Sequence, residues 1–266
     1  MRRLRAAALA LLFMTFLTGC GLRPPPPSSA VPAQNPGSER TEVLIYGGIS
    51  AWVQEINSIK SILSSHNITY VEYNDDQMNE LTVENLKKFS LVVFAGGDSD
   101  LISDNLDPDT KVRLRNAVRE DGLNYLGLCA GAWLVMEPNE RDDLYGFQFI
   151  EGPWLHRPSL HDGKTTFKLT VARFPGGVTR RLLWFGGPIT PEIPGGVVAR
   201  YEDGTPAVTQ MKVGKGFVVI SGLHPTANKE ILESLGLFVR EAIAPDLAWT
   251  MIEAAIYGKP MQAFIE

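Results

Sequence analysis

Residues 125–133 read "YLGLCAGAW", and the way this stretch folds decides the architecture around it. "LNYLGL" is an apolar run with the character of a strand, and "AGAWLVM" can open a helix immediately after Cys129. Where they meet, Gly127 to Gly131 form Gly-x-Cys-x-Gly, the thiol counterpart of the nucleophile elbow. In that turn a strained residue sits between strand and helix, and the glycines relieve the crowding. Such a sulfur projects into the crevice at the carboxyl edge of a parallel sheet, with a helix N-terminus behind it to stabilise thiolate. The alternative is a small apolar residue that simply packs well where strand meets helix.

Upstream, the pattern alternates in type, which predicts a parallel sheet flanked by helices. "EVLIYGG" reads as a strand closed by glycines. "SAWVQEINSIKSILSSH" follows, with Trp52, Ile56, Ile59, Ile62 and Leu63 at helical spacing and Ser50 as the expected N-cap. "ITYVEY" is a second strand, and "TVENLKKF" a short helix capped by Thr82. "LVVFAGGD" is nearly continuous in apolar residues, as befits a strand covered on both faces. "DPDTKVRLRNAVRED" starts a helix with Asp107 as cap and Pro108 at the first position. Beyond Pro138 the rhythm changes to short candidate strands, "FQFI", "TFKLTV", "RLLWFGG", "GVVARYE", "PAVTQMKV" and "GFVVISG". Gly, Pro and Asp turns separate them, including Asp162-Gly163 and Asp203-Gly204, so antiparallel hairpins should extend the sheet. Two helices, "ANKEILESLGLFVREAI" and "DLAWTMIEAAIYG", close the chain. The expectation is one α/β domain over residues 42–266, a flavodoxin-like three-layer fold with a mostly parallel central sheet, elaborated by antiparallel strands in its C-terminal half.

The first residues have another purpose. "MRRLR" is a basic n-region and "AAALALLFMTF" an apolar h-region of signal-peptide length, too short to span a bilayer. "LTGC", Leu17 to Cys20, resembles the bacterial lipobox, whose cysteine carries lipid and becomes the first mature residue. Residues 1–19 are thus expected to be a lipoprotein signal peptide. Residues 20–41, rich in Pro and Ser, should be an extended tether. The expected partner is a membrane, held through lipid on Cys20. Gly21, where Asp favours inner-membrane retention, points to the outer membrane facing the periplasm in a Gram-negative source. The net charge is −5 and the signal segment contains Arg2, Arg3 and Arg5, so the mature chain is more acidic still. Nucleic acid is therefore not an expected partner. With Cys20 lipidated, Cys129 has no thiol to pair with.

A cysteine nucleophile needs a base and an oxyanion site. Of the four histidines, His224 in "VVISGLHPT" follows a probable strand and precedes a helix, which places it at a sheet edge. His66 ends a helix, and His156 and His161 lie in the loop-like "WLHRPSLHDG", without zinc-ligand spacing. Neither a metal nor a cofactor is expected. "AGGD", Ala95 to Asp98, ends a strand; Gly96, Gly97 and Asp98 form the candidate oxyanion and substrate-binding turn, with the Ala130 N–H as second donor.

"VVFAGGDSD", a helix, "GLNYLGLCAGAW", then "WFGGP", "ARYEDG" and "VGKGFVVISGLHP" in that order resemble the N-terminal domain of fungal-type biotin-protein ligases and its free-standing bacterial relatives, a branch of the class I glutamine amidotransferase-like superfamily. The resemblance covers roughly Val43 to Ile243. It implies that Cys129 is the nucleophile, His224 the base, and Gly97 and Ala130 the oxyanion hole. Active amidotransferases place a glutamate two residues after the histidine, and this sequence has Thr226 there. A hydroxyl accepts a hydrogen bond but brings no charge, so a Cys-His dyad is what the resemblance leaves. Glu230, six positions on, is not expected to replace the carboxylate. No ligase catalytic domain is expected. An exported, tethered domain also lacks the cytosolic synthetase that a glutaminase feeds. Two readings follow. One is a thiol amidase or hydrolase acting on an amide or peptide of the cell envelope. The other is a catalytically inactive module that holds a small carboxylate or other ligand in the same pocket. A purely structural envelope lipoprotein would leave the co-occurring site blocks unexplained.

Overall fold

The structure is a computed structural model that describes residues 42–135, 145–150, 156–159, 166–239 and 245–265. All of them lie in a compact unit that begins at Glu39. Cys20, the signal segment, the tether, His161 and the Asp162-Gly163 turn fall outside the described residues.

Parallel β-α units build the first half. The strand β1 (Glu42–Tyr46) leads to α1 (Val53–Ser65) and β2 (Tyr70–Tyr73), followed by the short helices α2 (Asp75–Asn79) and α3 (Val83–Leu86). Next come β3 (Phe89–Phe94), α4 (Ser99–Asn105), α5 (Pro108–Asn116), β4 (Asn124–Leu128) and a one-turn helix, α6 (Ala130–Trp133). The second half contributes β5 (Lys168–Arg173), β6 (Thr179–Trp184), β7 (Val197–Arg200), β8 (Pro206–Val213) and β9 (Gly216–Ser221). Helices α7 (Lys229–Ser234) and α8 (Pro245–Tyr257) follow, and α8 lies against β3, β4 and β9. Together they make one nine-stranded sheet of order β2-β1-β3-β4-β9-β8-β7-β5-β6. The pairings β2-β1-β3-β4-β9 are parallel and the remainder antiparallel. This is a mixed α/β, flavodoxin-like arrangement in which chain order reverses direction across the sheet beside β1, the kind of place where open α/β sheets bind ligands.

The inner parallel strands β1, β3, β4 and β9 are buried along nearly their whole length: Val43, Leu44, Ile45, Leu91, Val92, Val93, Leu126, Val218 and Val219 are wholly inaccessible, which explains their continuous apolar runs. The antiparallel half curls. Near the end of β6, Leu183 bridges to His224, just beyond β9, with the His224 N–H donating to the Leu183 carbonyl at 2.9 Å. Strands β9, β8, β7, β5 and β6 therefore close on themselves around a second small core of Ala172, Leu182, Trp184, Tyr201, Ala207 and Leu223.

Several local expectations are corrected. Ser50 does not cap α1, because it ends a turn and residues 50–52 are paired with residues 96–98: the Asp98 N–H donates to the Ser50 carbonyl and the Trp52 N–H to the Gly96 carbonyl. The helix starts only at Val53, with Trp52 at its N-cap and no capping side chain. Thr82 caps α3 as expected. Asp107 does stand at the N-cap of α5 before Pro108, but its side chain makes no capping bond. The helix after Cys129 is one turn long, so the macrodipole expected behind the sulfur is small. "FQFI" is not a sheet strand. The Phe147 and Phe149 amides donate to the carbonyls of Leu134 and Val135, and Gln148 has φ 54°, which breaks an extended run. The two rings fill the core against Tyr125. Among the described residues of its expected span, helix α7 occupies residues 229–234.

Candidate active site

The elbow forms as the spacing predicts. Cys129 sits between β4 and α6 with φ 49° and ψ −98°, a conformation that costs a non-glycine residue about 1–3 kcal/mol and is held by its surroundings. Its N–H continues the β4–β9 ladder by donating to the Ser221 carbonyl at 2.8 Å, and its carbonyl accepts from Ala132 and Trp133. The need for glycine at 131 is steric: a Cβ there would stand 2.2 Å from the Phe94 carbonyl oxygen. Cys129 is 5% exposed, and its thiol donates to the Phe185 carbonyl at 3.1 Å.

His224 reaches the same edge from beyond β9. It is 1% exposed, wedged edge-on against Trp52 at 5.1 Å between ring centres, with Phe185 at 6.5 Å. Its Nδ1 donates to Oε1 of Glu55 at 2.9 Å. Glu55 lies in the first turn of α1 and is wholly buried. Burial without partners would be costly for a carboxylate, but every side of this one is met. Thr226 Oγ1 donates to Oε1 at 2.5 Å, and the Gly96 N–H donates to Oε2 at 2.7 Å. Thr226 thus occupies the position where the amidotransferase pattern has glutamate, and instead of replacing the carboxylate it binds one delivered from α1. The backbone carbonyl of Thr226 is itself anchored by Ser58, also on α1, at 2.5 Å.

Charge follows from this geometry. Burial pushes Glu55 up, but attraction to His224 and the hydrogen bonds from His224, Thr226 and Gly96 outweigh it, and the carboxyl lies below its usual range. Burial lowers His224; the Glu55 carboxylate, and then the charge and hydrogen bonding of the Cys129 sulfur, raise it to about 10. Glu55 and His224 are therefore an ion pair at neutral pH. With Nδ1 committed, Nε2 is left on the sulfur side, where it makes no hydrogen bond of regular geometry and Cys129 is the reactive neighbour.

The turn after β3 completes the edge. In the bridge between Ala51 and Gly97 the hydrogen bonds are made by Trp52 and Asp98, which leaves the Gly97 N–H outside the ladder. Gly97 is exposed, and the Ala130 N–H begins α6 beside the sulfur. Gly96 serves through its N–H on Glu55, and it has no room for a side chain: a Cβ would lie 2.7 Å from His224 Cε1 and 2.8 Å from Glu55 Oε2. Asp98 is exposed, and its carboxylate accepts from the amides of Asp100 and Leu101 as the cap of α4. Of the other histidines, His66 stacks on Trp249 at 3.6 Å and His156 is exposed, both apart from this edge. Among the described residues no three His, Cys, Asp or Glu side chains cluster as metal ligands, and no helix is long and apolar enough to cross a membrane.

Sequence reasoning missed Glu55. The signal was present, since a glutamate stands between Trp52 and Ile59 on the stripe that the helix buries, and a carboxylate there needs a partner.

A solved glutamine amidotransferase has the same overall fold, with a TM-score of 0.56 at 20% identity over 80% of this chain and 98% of that one. More remote is a β-galactosidase from Bacillus circulans sp. alkalophilus, with a TM-score of 0.48 at 12% identity over 84% of this chain and 31% of that one. No protein-family model matches the sequence, and no curated protein matches it either. The likeness to the amidotransferase establishes a class I glutamine amidotransferase-like fold for this chain.

Proposed function

We propose that the chain is an exported, lipid-anchored thiol amidase of the cell envelope, related to the biotin-protein ligase N-terminal domains, with Cys129 as nucleophile. The observation that carries this reading is the buried hydrogen bond from His224 Nδ1 to Glu55, which fixes the imidazole with Nε2 toward the sulfur. A pocket kept only for binding a ligand has no use for a buried, triply hydrogen-bonded carboxylate behind a histidine.

In the proposed reaction the reactive form is the Cys129 thiolate beside the His224 imidazolium, and the sulfur attacks the carbonyl carbon of an amide or peptide. The oxyanion so formed accepts from the N–H groups of Gly97 and Ala130. The C–N bond then breaks as His224 returns its proton from Nε2 to the departing nitrogen, leaving a thioester on Cys129. Water, deprotonated by the now neutral His224, hydrolyses the thioester, which restores the thiolate beside the imidazolium and releases a carboxylic acid that gives its proton to solvent. Glu55 keeps its proton-free form throughout and stabilises the imidazolium.

Lipid on Cys20 would hold the domain at the membrane through the tether of residues 20–41. The test has two parts. A p-nitrophenyl ester should give a burst of one acyl group per chain, seen as a mass increase on the peptide containing Cys129 and absent from Cys129→Ala; acyl transfer that survives that substitution refutes the site. Metabolic palmitate labelling should be lost in Cys20→Ala, and its persistence refutes the anchor.

A further inference from the structure

We infer that the substrate's acyl side is apolar, with an aromatic or branched aliphatic group beside the scissile carbonyl, and not the polar side chain of glutamine. This rests on the hydrolase reading above. The half-buried rings of Trp52 and Phe185 meet edge-on at 5.6 Å, and both pack on His224. Phe185 is the residue whose carbonyl takes the Cys129 thiol. On the sulfur side, Trp133 Nε1 donates to the Gly186 carbonyl at 3.2 Å, which turns another half-buried ring toward the same loop. A group carried by the carbon next to the attacked carbonyl has these rings for walls.

The approach to the oxyanion amide is equally apolar. Ile49 is 86% exposed, Val53 61% and Leu101 51%, among the most exposed large apolar side chains of the described residues. Ile49 and Val53 flank the segment bridged to Gly97, and Leu101 is capped by Asp98, the residue after Gly97. Isolated apolar residues on a surface need no explanation, but three carried by the segments that flank one exposed backbone amide point to a place that receives apolar material. The buried carboxylate of this edge, Glu55, is taken by three donors, and one oxygen of the Asp98 carboxylate by the cap of α4.

The test compares alkylation of Cys129 by chloromethyl ketones derived from phenylalanine and from glutamine, each rate divided by the same protein's iodoacetamide rate and read by intact mass spectrometry. The full chain should react about tenfold faster with the phenylalanine compound, a typical preference of an apolar pocket. That ratio should fall toward one in Ile49→Asp and Leu101→Asp, exposed positions where folding is not at stake, and in Trp52→Ala. Equal rates, a preference for the glutamine compound, or a phenylalanine preference unchanged in all three variants overturns the inference and leaves the hydrolase reading standing. Failure of all three reagents to modify Cys129 overturns both.

Discussion

The two halves of the sheet do different work. The parallel half, β2-β1-β3-β4-β9, brings the proposed reacting groups to its carboxyl edge: Cys129 after β4, the Gly96-Gly97 turn after β3, His224 after β9, and Glu55 on the helix after β1. The antiparallel half contributes no proposed reacting side chain. It supplies the surroundings, namely the Phe185 carbonyl against the thiol, the Phe185 ring, and the Leu183 bridge that holds the His224 backbone. The comparison teaches that the groups proposed to react are placed by strand ends that the chain reaches through crossovers, whereas the antiparallel strands buttress them from one side.

Breaking the parallel side should cost most. Glu55→Gln keeps the shape but removes the charge that holds the imidazolium, and acylation of Cys129 by a p-nitrophenyl ester is expected to slow by about 10²–10⁴. An unchanged rate would return the site to a Cys-His dyad. Gly96→Ala forces a methyl group against both His224 and Glu55 and should cut the same rate about a hundredfold, with about 1–3 kcal/mol of stability lost in urea unfolding. Thr226→Val leaves the carboxylate charged and removes one of its three donors. A loss of about tenfold in rate and about 1 kcal/mol is expected, so Thr226 should matter clearly less than Glu55.

The smallest effect is on stability against pH. His224 is raised from 6.5 to about 10 in the folded chain, so its contribution is complete below pH 6.5 and is lost as pH rises toward about 10. Glu55 is lowered from 4.5, so its contribution is complete above pH 4.5 and is lost as pH falls through the folded value. The melting temperature should therefore peak between about pH 4.5 and 6.5, and the alkaline limb should flatten in Glu55→Gln by a few degrees. A variant with the same alkaline limb as the parent would mean that the pair is not charged in the folded state.

Legibility in the sequence divides along the same line. The runs of β1, β3, β4 and β9 are continuous and apolar because both faces are covered, and the glycines of the elbow are forced by close approach, so strands and Cys129 could be read locally. His224 was legible by its place after a strand. Glu55 was not, because its meaning lies in a hydrogen bond to a residue 169 positions away, and nothing local distinguishes it from a solvated helix glutamate except its place on the buried stripe. The misplaced cap at Ser50 has the same origin. A pairing with residues 96–98 holds residues 50–52 out of the helix, and tertiary contacts overrode the local signal. In the second half, alternating runs and the Asp203-Gly204 turn foretold hairpins, but not the bridge by which they curl back to His224.

That bridge also bears on when the thiol can become reactive during the life of the chain. Cys129 directly follows β4, whose partner β3 precedes it in the chain. His224 is synthesised 95 residues later, and its backbone is held only after β9 has joined β4 and the β5–β6 hairpin has swung round to offer Leu183. Closing contacts of such long range is the slow part of building a fold. An incomplete or clipped chain thus carries the cysteine without the groups arranged around it, and the proposed activity switches on only when the last strands have docked.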